Sequence, residues 1–333
     1  MRVVVTGGAG FIGRAVINRL AQGGVDVLAL VRDPAKAAQL VQPRVTLEAS
    51  DLTDPAALER QFTAADGLIH AAGSYRVGIA AAERPRMLDA NLGTTERVLD
   101  AASRAGTRRI VYVSTLNVFG DTGGKVVDET YRRDPKTPAG RFASWYDETK
   151  YRAHEAALSR AQAGAPIVIV QPGGTYGPHD HSAVGAALEA AYRGKLRYKA
   201  LASSGLALAH VDDVAAGIVA ALIRGRPAEA YALAGECLRL GDAITIAARA
   251  GGHKPPRLTL PTTALRLLAA LQRRGLRLAD SPADLGEIIA SGRGTYWASH
   301  AKATRELGFD PRPLAKGVAD TWGDDGTAHR RTT

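Results

Sequence analysis

The sequence predicts an α/β protein with a doubly wound parallel sheet and a smaller, mostly helical C-terminal lobe. Two observations predict the sheet: short apolar runs rich in Val and Ile alternate with helix-length segments, and a glycine-rich turn directly follows the first run. Strands separated by helices form right-handed crossovers, which make neighbouring strands parallel. The chain has 333 residues, of which 46% are hydrophobic, so it is long enough to bury such a core.

The individual elements follow from the same alternation, because turn residues bound the apolar runs and helical periodicity lies between them. The strands are expected at Val3–Val5, Val25–Val31, Gly67–Ala71, Arg109–Ser114 and Ile167–Gln171, and the helices at Arg14–Gln22, Pro55–Phe62, Asn91–Ala105 and Tyr146–Ala163. The last third differs. Residues 174–205 are rich in Gly and Ala and carry loop signals, and Leu258–Ala290 is expected to be mostly helical, without further strand–helix alternation.

The charge balance favours small anionic ligands over nucleic acid. The chain has 43 basic and 33 acidic residues, a net charge of +10, but the basic residues are scattered. The clusters Arg108-Arg109, Arg132-Arg133 and Arg273-Arg274 are too short for a basic tail. We therefore expect no nucleic-acid partner.

The remaining composition excludes several classes of protein. Cys237 is the only cysteine, so an intrachain disulfide and a Cys-rich zinc site are excluded, and we expect no metal centre. The N-terminal residues enter a strand at once and lack the apolar segment of a signal peptide. No stretch approaches the roughly 18 apolar residues of a membrane span. These features predict a cytoplasmic protein without a membrane span.

The glycine-rich turn Thr6–Gly13 predicts a dinucleotide site. Gly7, Gly10 and Gly13 have the spacing G-x-x-G-x-x-G. Gly7 permits the sharp turn off the strand, Gly10 lets the backbone approach a pyrophosphate, and Gly13 lets the following helix pack tightly on the sheet. The first turn of that helix offers free N–H groups and a partial positive charge to phosphates.

The end of the second predicted strand favours NADP(H) over NAD(H). The strand ends at Val31, and Arg32 and Asp33 follow it. An acidic residue at this place bonds the ribose 2′-hydroxyl of NAD, whereas an arginine accommodates the 2′-phosphate of NADP. Arg32 therefore predicts NADP(H). Asp33 would be the ribose acceptor if the strand ran further, and an Arg32–Asp33 pair in a solvated turn is a third option.

Tyr146 and Lys150 form a candidate acid–base pair. Their spacing of four puts both on one face of a helix. A nearby ammonium stabilises the phenolate and lowers the tyrosine pKa from about 10, which makes the phenol a usable acid or base near neutrality. The preceding strand supplies Ser114 and Thr115, either of which could orient a substrate carbonyl. An ordinary surface pair on an amphipathic helix is the alternative interpretation.

Eight motifs in this order resemble those of the extended short-chain dehydrogenases/reductases, the NAD-dependent epimerase/dehydratase superfamily. They are Thr6–Gly13, Asp51–Asp54, His70–Gly73, Asn91–Thr94, Val113–Thr115, Tyr146–Lys150, Gln171–Pro178 and His210–Val214. Residues 302–314 are similar to the family's closing segment. The strand end Val31–Pro34 is similar to that of the dihydroflavonol-reductase-like and hydroxysteroid-dehydrogenase-like branches.

The resemblance implies a role for each matching residue. Tyr146 would be the acid–base and Thr115 the catalytic hydroxyl, while Lys150 would lower the tyrosine pKa and bond the nicotinamide ribose. Asn91 and His210 would be structural. The cofactor-binding residues would be Gly7, Gly10, Phe11, Ile12, Gly13, Arg32, Asp51 and Leu52 beside the adenine, Ala71, Ala72 and Gly73 along the groove, Tyr146, Lys150, and Pro172 and Gly173 beside the nicotinamide.

The resemblance also implies a division of the chain. Residues 1–173, joined by 206–235, would form an NADP-binding Rossmann domain, and residues 174–205 and 236–323 would form the substrate-binding lobe. Residues 324–333 would be a frayed tail. The apolar stretch Leu260–Leu278 could line a substrate pocket or be helix-packing surface. The helices Asn91–Ala105 and Tyr146–Ala163 would supply the four-helix homodimer contact that relatives often use.

Departures from the family's motifs favour a reductase. Dehydratases carry an Asp-Glu pair after the catalytic Thr, where this chain has Leu116-Asn117. Nucleotide-sugar epimerases commonly have an Asn where this chain has Gly174, and they tend to hold NAD tightly. We therefore expect NADPH-dependent reduction of an aldehyde or ketone on an apolar or aromatic skeleton. An epimerase that retains its cofactor and a non-catalytic NADP-binding sensor are the alternatives.

Overall fold

The computed structural model describes residues 1–137, 140–265 and 285–323. Its strands are β1 (Arg2–Thr6), β2 (Asp26–Val31), β3 (Val45–Ala49), β4 (Gly67–His70), β5 (Ile110–Val113), β6 (Ile167–Pro172), β7 (Gly174–Tyr176), β8 (Tyr198–Lys199), β9 (Gly205–His210), β10 (Ala230–Leu233), β11 (Glu236–Arg239), β12 (Leu258–Thr259) and β13 (Thr295–Tyr296). Its helices are α1 (Phe11–Gln22), α2 (Pro55–Phe62), α3 (Arg84–Leu88), α4 (Thr94–Arg104), α5 (Trp145–Gln162), α6 (Ala183–Tyr192), α7 (Val211–Arg224), α8 (Leu240–Ala250), α9 (Leu285–Ser291), α10 (Ala301–Leu307) and α11 (Leu314–Trp322).

Seven strands form one parallel sheet in the order β10-β6-β5-β4-β1-β2-β3. Both faces are apolar because helices cover both sides: Val3 and Val5 pack with α1 and α7, and Val4 packs with α2, α4 and α5.

After β3 the chain crosses to the other side of β1, so the strand order reverses between β1 and β4. Ligands of doubly wound sheets bind at such a reversal, beyond the carboxyl ends of the strands. The predicted doubly wound α/β fold is confirmed.

A smaller sheet is centred on β9. This strand pairs antiparallel with β11 and parallel with β13 and β7, while β8 and β12 form a separate parallel pair. Leu188 of α6, Ile244 of α8 and Val318 of α11 form the apolar core of this part. Of the segment 206–235, α7 and β10 lie with the large sheet, whereas β9 lies in the small one.

The strand β3 was not predicted. It lies at the edge of the large sheet, where Val45 is buried but Thr46 and Glu48 are exposed. An edge strand needs no continuous apolar run, so the pattern that revealed the central strands is absent here.

The prediction that the last third lacks strand–helix alternation is wrong. Residues 174–205 contain β7, α6 and β8, and the segment Leu258–Ala290 begins with β12. These strands contain only two or three residues each, too few to show a period of two. Residues 266–284 of the predicted helical segment, and the predicted frayed tail 324–333, lie outside the described residues.

Two further expectations concern membranes and metals. Within the described part of the chain, none of the helices combines the length and apolar character that a membrane span needs. No group of three or more His, Cys, Asp or Glu side chains that could hold a metal ion occurs among residues 1–137, 140–265 and 285–323.

Candidate active site

The glycine-rich turn lies at the reversal of strand order, where β1 and β4 end. Gly7 has a φ of +74°, and a Cβ there would lie 2.6 Å from the Cα and N of Ala72. Glycine alone combines this left-handed backbone with so close an approach. The turn after β1 therefore contacts the loop Ala71–Gly73 after β4, and the two border one crevice.

Gly10 and Gly13 act at different places in this turn. A Cβ on Gly10 would have one close neighbour, the Gly7 carbonyl oxygen at 3.1 Å, so space beside Gly10 is open. A Cβ on Gly13 would lie 2.2 Å from the same oxygen. Gly13 therefore lets α1 approach the turn that follows β1, and Val16 and Ile17 of the same helix pack on the sheet.

The amino end of α1 is open toward the crevice. Phe11 and Ile12 begin the helix, Gly10 caps it without a side-chain hydrogen bond, and the first turn has no acidic residue. The first N–H groups of a helix lack intrahelical partners and carry a partial positive charge. This end therefore suits a pyrophosphate.

The structure separates the roles of Arg32 and Asp33. β2 ends at Val31. The Asp33 carboxylate accepts hydrogen bonds from the N–H groups of Ala35 at 3.1 Å and Lys36 at 3.3 Å, and it lies 3.5 Å from the Lys36 ammonium. Asp33 thus caps the following turn. Arg32 is exposed, and among the described residues no hydrogen bond or ion pair holds its guanidinium.

Asp51 and Leu52 follow β3 at the same edge of the sheet. The Asp51 carboxylate accepts hydrogen bonds from the hydroxyl of Thr53 at 2.6 Å and its N–H at 3.0 Å, and these bonds lower the Asp51 pKa. Leu52 has a φ of +63°, and its carbonyl accepts a hydrogen bond from Arg97 Nε at 3.0 Å. The turn is therefore held in place, with an ionised carboxylate at the end of the crevice.

Asn91 joins the loop after β4, which borders the crevice, to the helix that carries Tyr146. Its Oδ1 accepts a hydrogen bond from the Ser74 N–H at 2.7 Å, and its Nδ2 donates to Thr149 Oγ1 at 2.9 Å. A Cβ on Gly73 would lie 3.1 Å from Asn91 Oδ1. The loop after β4 is therefore tied to α5 beside Lys150, which agrees with a structural role for Asn91.

Thr115, Tyr146 and Lys150 meet at the carboxyl end of β5. Ser144 caps α5 by accepting a hydrogen bond from the Asp147 N–H at 3.1 Å, which places Tyr146 in the first turn of the helix. The Thr115 hydroxyl is near enough to Tyr146 to lower its pKa in part, and its Oγ1 also accepts a hydrogen bond from the Asn117 N–H at 3.2 Å. All three predicted catalytic side chains are buried.

The geometry distinguishes Thr115 from Ser114. Ser114 Oγ lies 3.0 Å from Nδ1 of His154, a buried residue on α5. Successive residues of an extended chain point in opposite directions. Ser114 is thus engaged on one side, and Thr115 is the hydroxyl that meets Tyr146.

Burial governs the protonation of both ionisable groups. It raises the pKa of Tyr146 above its ordinary value, and the Thr115 hydroxyl lowers it in part. Burial lowers the pKa of Lys150 to about 8. The Lys150 ammonium donates hydrogen bonds to the Val113 carbonyl oxygen at 3.1 Å and the Tyr112 hydroxyl at 3.4 Å. The expected lowering of the Tyr146 pKa is therefore not seen: burial raises this pKa, and the phenol is protonated.

A buried ion pair beside these residues was missed in the sequence. The Arg133 guanidinium donates to the two carboxylate oxygens of Asp147 at 2.6 and 2.8 Å, and the side chains are 1% and 2% exposed. Arg133 also donates to the Asn117 carbonyl oxygen at 3.3 Å. Asp147 adjoins Tyr146, so the pair connects α5 with the turn that follows Thr115. The only sequence signal was the Arg132-Arg133 cluster, which suggested surface charge.

An apolar and aromatic wall lies beside Tyr146. The Tyr75 ring stands edge-on to the Tyr146 ring with centroids 4.8 Å apart, and Tyr75 is 62% exposed. The other residues packed around Tyr146 are Val77, Ile79, Met87 and Trp145. The stretch Leu260–Leu278, interpreted from the sequence as either pocket lining or helix-packing surface, lies for residues 266–278 outside the described residues.

Pro172 and Gly173 mark the passage from the large sheet to the small one. Pro172 is the last residue of β6 and is buried. A Cβ on Gly173 would lie 2.2 Å from the Ala207 carbonyl oxygen, so a side chain there would displace β9. β6 neighbours β5, which puts both residues at the strand ends close to Thr115.

His210 is held as a structural residue. Its Nδ1 accepts a hydrogen bond from the Asp212 N–H at 3.2 Å and caps α7, and its Nε2 lies 3.1 Å from Thr321 Oγ1. Both ring nitrogens therefore have partners within the fold.

Comparison with known proteins assigns the chain to a family. The model described as the NAD dependent epimerase/dehydratase family matches residues 3–234. The chain belongs to this family. It is 30% identical over 325 residues to a Synechocystis sp. protein assigned as dihydroflavonol 4-reductase, covering 95% of this chain and 92% of that protein. It is 28% identical over 329 residues to a 3 beta-hydroxysteroid dehydrogenase/Delta 5→4-isomerase of Mycobacterium tuberculosis, covering 93% and 86%.

A solved structure extends the comparison to the whole fold. A UDP-glucuronic acid 4-epimerase from Bacillus cereus, in complex with a fluorinated UDP-sugar and NAD, superimposes with a TM-score of 0.76 at 20% identity, covering 99% of this chain and 100% of that one. Family membership and reductase-named relatives support an oxidoreductase, and the family's cofactor is a nicotinamide dinucleotide. The crevice fits this group, because the space beside Gly10 and the uncapped amino end of α1 would accept its pyrophosphate.

Proposed function

We propose that this member of the epimerase/dehydratase family is an NADPH-dependent reductase of aldehydes or ketones. The observation that carries the proposal is the convergence of the Thr115 and Tyr146 hydroxyls beside the exposed ring of Tyr75. Two hydroxyl groups suit a carbonyl oxygen, and the apolar wall suits an apolar or aromatic skeleton. The residues of the small sheet and of α6, α8, α9 and α11 would form the rest of the substrate-binding lobe.

The preference for NADP(H) over NAD(H) rests on the end of β2. Asp33 Oδ1 caps the next turn and its Oδ2 lies 3.5 Å from the Lys36 ammonium, so this acidic group is less available to a ribose 2′-hydroxyl. Arg32 is exposed and offers the planar guanidinium that binds phosphate oxygens in pairs.

The mechanism assigns one task to each catalytic side chain. When bound, the nicotinamide supplies the hydride. Thr115 and Tyr146 hold the carbonyl oxygen, and Tyr146 donates its phenolic proton to that oxygen as the alcohol forms. Burial keeps the phenol protonated beforehand, and the Lys150 ammonium then stabilises the phenolate that remains.

Consumption of reduced cofactor tests the proposal directly. NADPH and NADH oxidation would be followed by absorbance against a panel of aliphatic, aromatic and steroid-like aldehydes and ketones, with faster turnover expected for NADPH. Tyr146→Phe is expected to lower turnover by about 100-fold or more, since it removes the proton donor, and to leave NADPH binding nearly intact. Turnover retained in Tyr146→Phe would contradict this assignment.

A nucleotide-sugar epimerase is the second candidate, favoured by the similarity to the UDP-glucuronic acid 4-epimerase fold. Gly174 stands where such epimerases commonly have an Asn, which weakens this candidate. If no carbonyl compound oxidises NADPH, the purified protein would be assayed with nucleotide sugars and examined for tightly held NAD. Epimerisation without added cofactor would favour the second candidate.

The proposed partner is a small carbonyl or alcohol substrate. We do not extend the proposal to the expected homodimer, because the helices α4 and α5 carry charged pairs on their surface, such as Arg160 with Asp100 at 2.7 Å. The cytoplasmic location stays a prediction.

A further inference from the structure

A series of buried polar side chains runs from the phosphate turn to Lys150. Thr6 ends β1 and its Oγ1 lies 2.7 Å from His70 Nδ1, and His70 Nε2 lies 3.2 Å from Thr95 Oγ1. Burial raises the pKa of Tyr112, and the neighbouring Thr95 hydroxyl lowers it in part. Lys150 Nζ ends the series at 3.4 Å from the Tyr112 hydroxyl. All five residues are buried, so their hydrogen bonds must be satisfied within the protein.

The positions of the protons follow from the available donors. Thr95 has a single hydroxyl proton, which it donates to the Asn91 carbonyl oxygen at 2.6 Å. Toward His70 its oxygen must therefore accept. His70 consequently carries its proton on Nε2, and its Nδ1 accepts from Thr6. Burial, and then the charge of Lys150, lower the pKa of His70 to about 3, which agrees with a neutral ring.

This arrangement makes Tyr112 an acceptor for Lys150. An ammonium can only donate, so the Tyr112 oxygen accepts from Lys150, and its own proton can turn to the neighbouring Thr95 oxygen, whose proton goes to Asn91. An ammonium has three protons. The Tyr112 hydroxyl and the Val113 carbonyl oxygen accept two of them, and the third is left for Tyr146 or for the ribose of a bound cofactor.

We propose that Tyr112 is a positioning residue, whose hydroxyl, oriented by Thr95 and His70, keeps Lys150 protonated and in place beside Tyr146. The inference rests on the proposed catalytic function of Lys150. The groups that face Lys150 are Tyr146 and His154 on α5, Tyr112 on β5 and His70 on β4. Both histidines are neutral near pH 7, because burial lowers the pKa of His154 to about 4 as well. Hydrogen-bond acceptors, rather than carboxylates in contact with it, therefore stabilise this buried ammonium in the described part of the chain.

Tyr112→Phe tests the inference because it removes the acceptor and keeps the ring. The pKa of Lys150 would be measured without turnover, by a pH titration of the 13Cε signal in lysine-labelled protein, with the signal assigned through Lys150→Met. We expect the Lys150 pKa to fall by about one unit, because loss of a hydrogen bond to a charged group disfavours the ammonium. The pH above which carbonyl reduction declines should move down by a similar amount.

Tyr176→Phe is the matched control. Tyr176 is also fully buried, but among the described residues no group hydrogen-bonds its hydroxyl. Its removal should leave the Lys150 titration unchanged. Thr95→Val keeps Tyr112 but removes the acceptor of its proton, and it should lower the Lys150 pKa in the same direction.

An unchanged Lys150 pKa in Tyr112→Phe would overturn the inference. If that variant does not fold, the titration of Thr95→Val decides the question in the same way. Absence of carbonyl reduction by the unaltered protein would overturn the proposed function alone, since the lysine titration does not depend on turnover.

Discussion

At the scale of single residues, hydrogen-bond partners distinguish the side chains that hold the fold from those left for a ligand. Asp33 caps a turn and Ser114 meets His154, whereas Arg32 is exposed and Thr115 lies beside Tyr146. Ser114 and Thr115, which both carry hydroxyl groups, thus have separate tasks, because adjacent positions of an extended backbone point in different directions.

Arg32→Ala should raise the KM for NADPH by about tenfold or more and change the KM for NADH little, because only NADPH offers a 2′-phosphate to the guanidinium. Steady-state kinetics with both cofactors would measure this. Arg44→Ala is a suitable control, since Arg44 pairs with Asp26 at the opposite end of β2. Equal changes for the two cofactors in Arg32→Ala would argue against NADP selection by this residue.

Asp147→Asn should lower the free energy of unfolding by about 3–5 kcal/mol, because it leaves the buried charge of Arg133 without its full partner. Denaturant titration would measure the loss. Asp100→Asn provides the comparison at a partly exposed pair with Arg160, where the loss should stay near or below about 1 kcal/mol. Similar losses in the two variants would show that the buried pair contributes no more to the free energy of unfolding than the Arg160–Asp100 pair does.

At the scale of elements, α9 connects the loop around Gly78 with the start of α5, and both lie beside Tyr146. Glu287 accepts a hydrogen bond from the Gly78 N–H at 2.7 Å and from the Trp145 N–H at 2.8 Å. Trp145 is the first residue of α5, whose N–H groups need partners outside the helix. A carboxylate from the C-terminal part of the chain therefore fixes the position of the helix that carries Tyr146.

Glu287→Gln should raise the substrate KM by about tenfold, because a single amide oxygen replaces two carboxylate oxygens and one N–H loses its partner. Cofactor binding, measured by fluorescence titration with NADPH, should change much less. Glu129→Gln is a matched control, since Glu129 also accepts a backbone hydrogen bond, from Ala232 N at 2.8 Å. A substrate KM that is equal in both variants would contradict the conclusion that Glu287 positions the start of α5 for substrate binding.

At the scale of the whole molecule, the charged pairs on the outer surface of α4 and α5 affect whether two chains can form a dimer through these helices. Arg160 lies 4.0 Å from Glu96 and 2.7 Å from Asp100, and Arg104 lies 3.0 Å from Glu59. A four-helix dimer contact would remove these charges from water, and the cost of desolvating ion pairs can exceed their mutual attraction. This surface therefore favours a single chain in solution.

We accordingly predict a monomer with a mass near 34.9 kDa, measured by size-exclusion chromatography with light scattering. The mass should stay the same over a hundredfold range of protein concentration, because no association through α4 and α5 is expected. A stable mass of twice this value, lost on charge reversal of Asp100, would show that these helices form a dimer after all.

Features set by local sequence could be predicted without the structure. A strand–turn–helix with Gly7, Gly10 and Gly13 is a local arrangement, and so is the spacing of Tyr146 and Lys150 on one helix. The central strands were predicted because burial on both faces demands continuous apolar runs. The edge strand β3 and the two- or three-residue strands of the small sheet carry no such signal.

Contacts between distant segments were decided only by the tertiary structure. The pairing of Arg133 with Asp147, the Tyr75 wall and the bonds made by Glu287 depend on how loops pack above the sheet, and the series from Thr6 to Lys150 depends on adjacent parallel strands. The periodicity of apolar residues does not reveal such contacts. Each contact joins residues that are far apart along the chain, and the intervening helices and loops decide whether they meet. The sequence alone determined the fold class, the family resemblance and the motif residues. Their partners, and therefore their protonation and orientation, follow from burial and register in the folded chain.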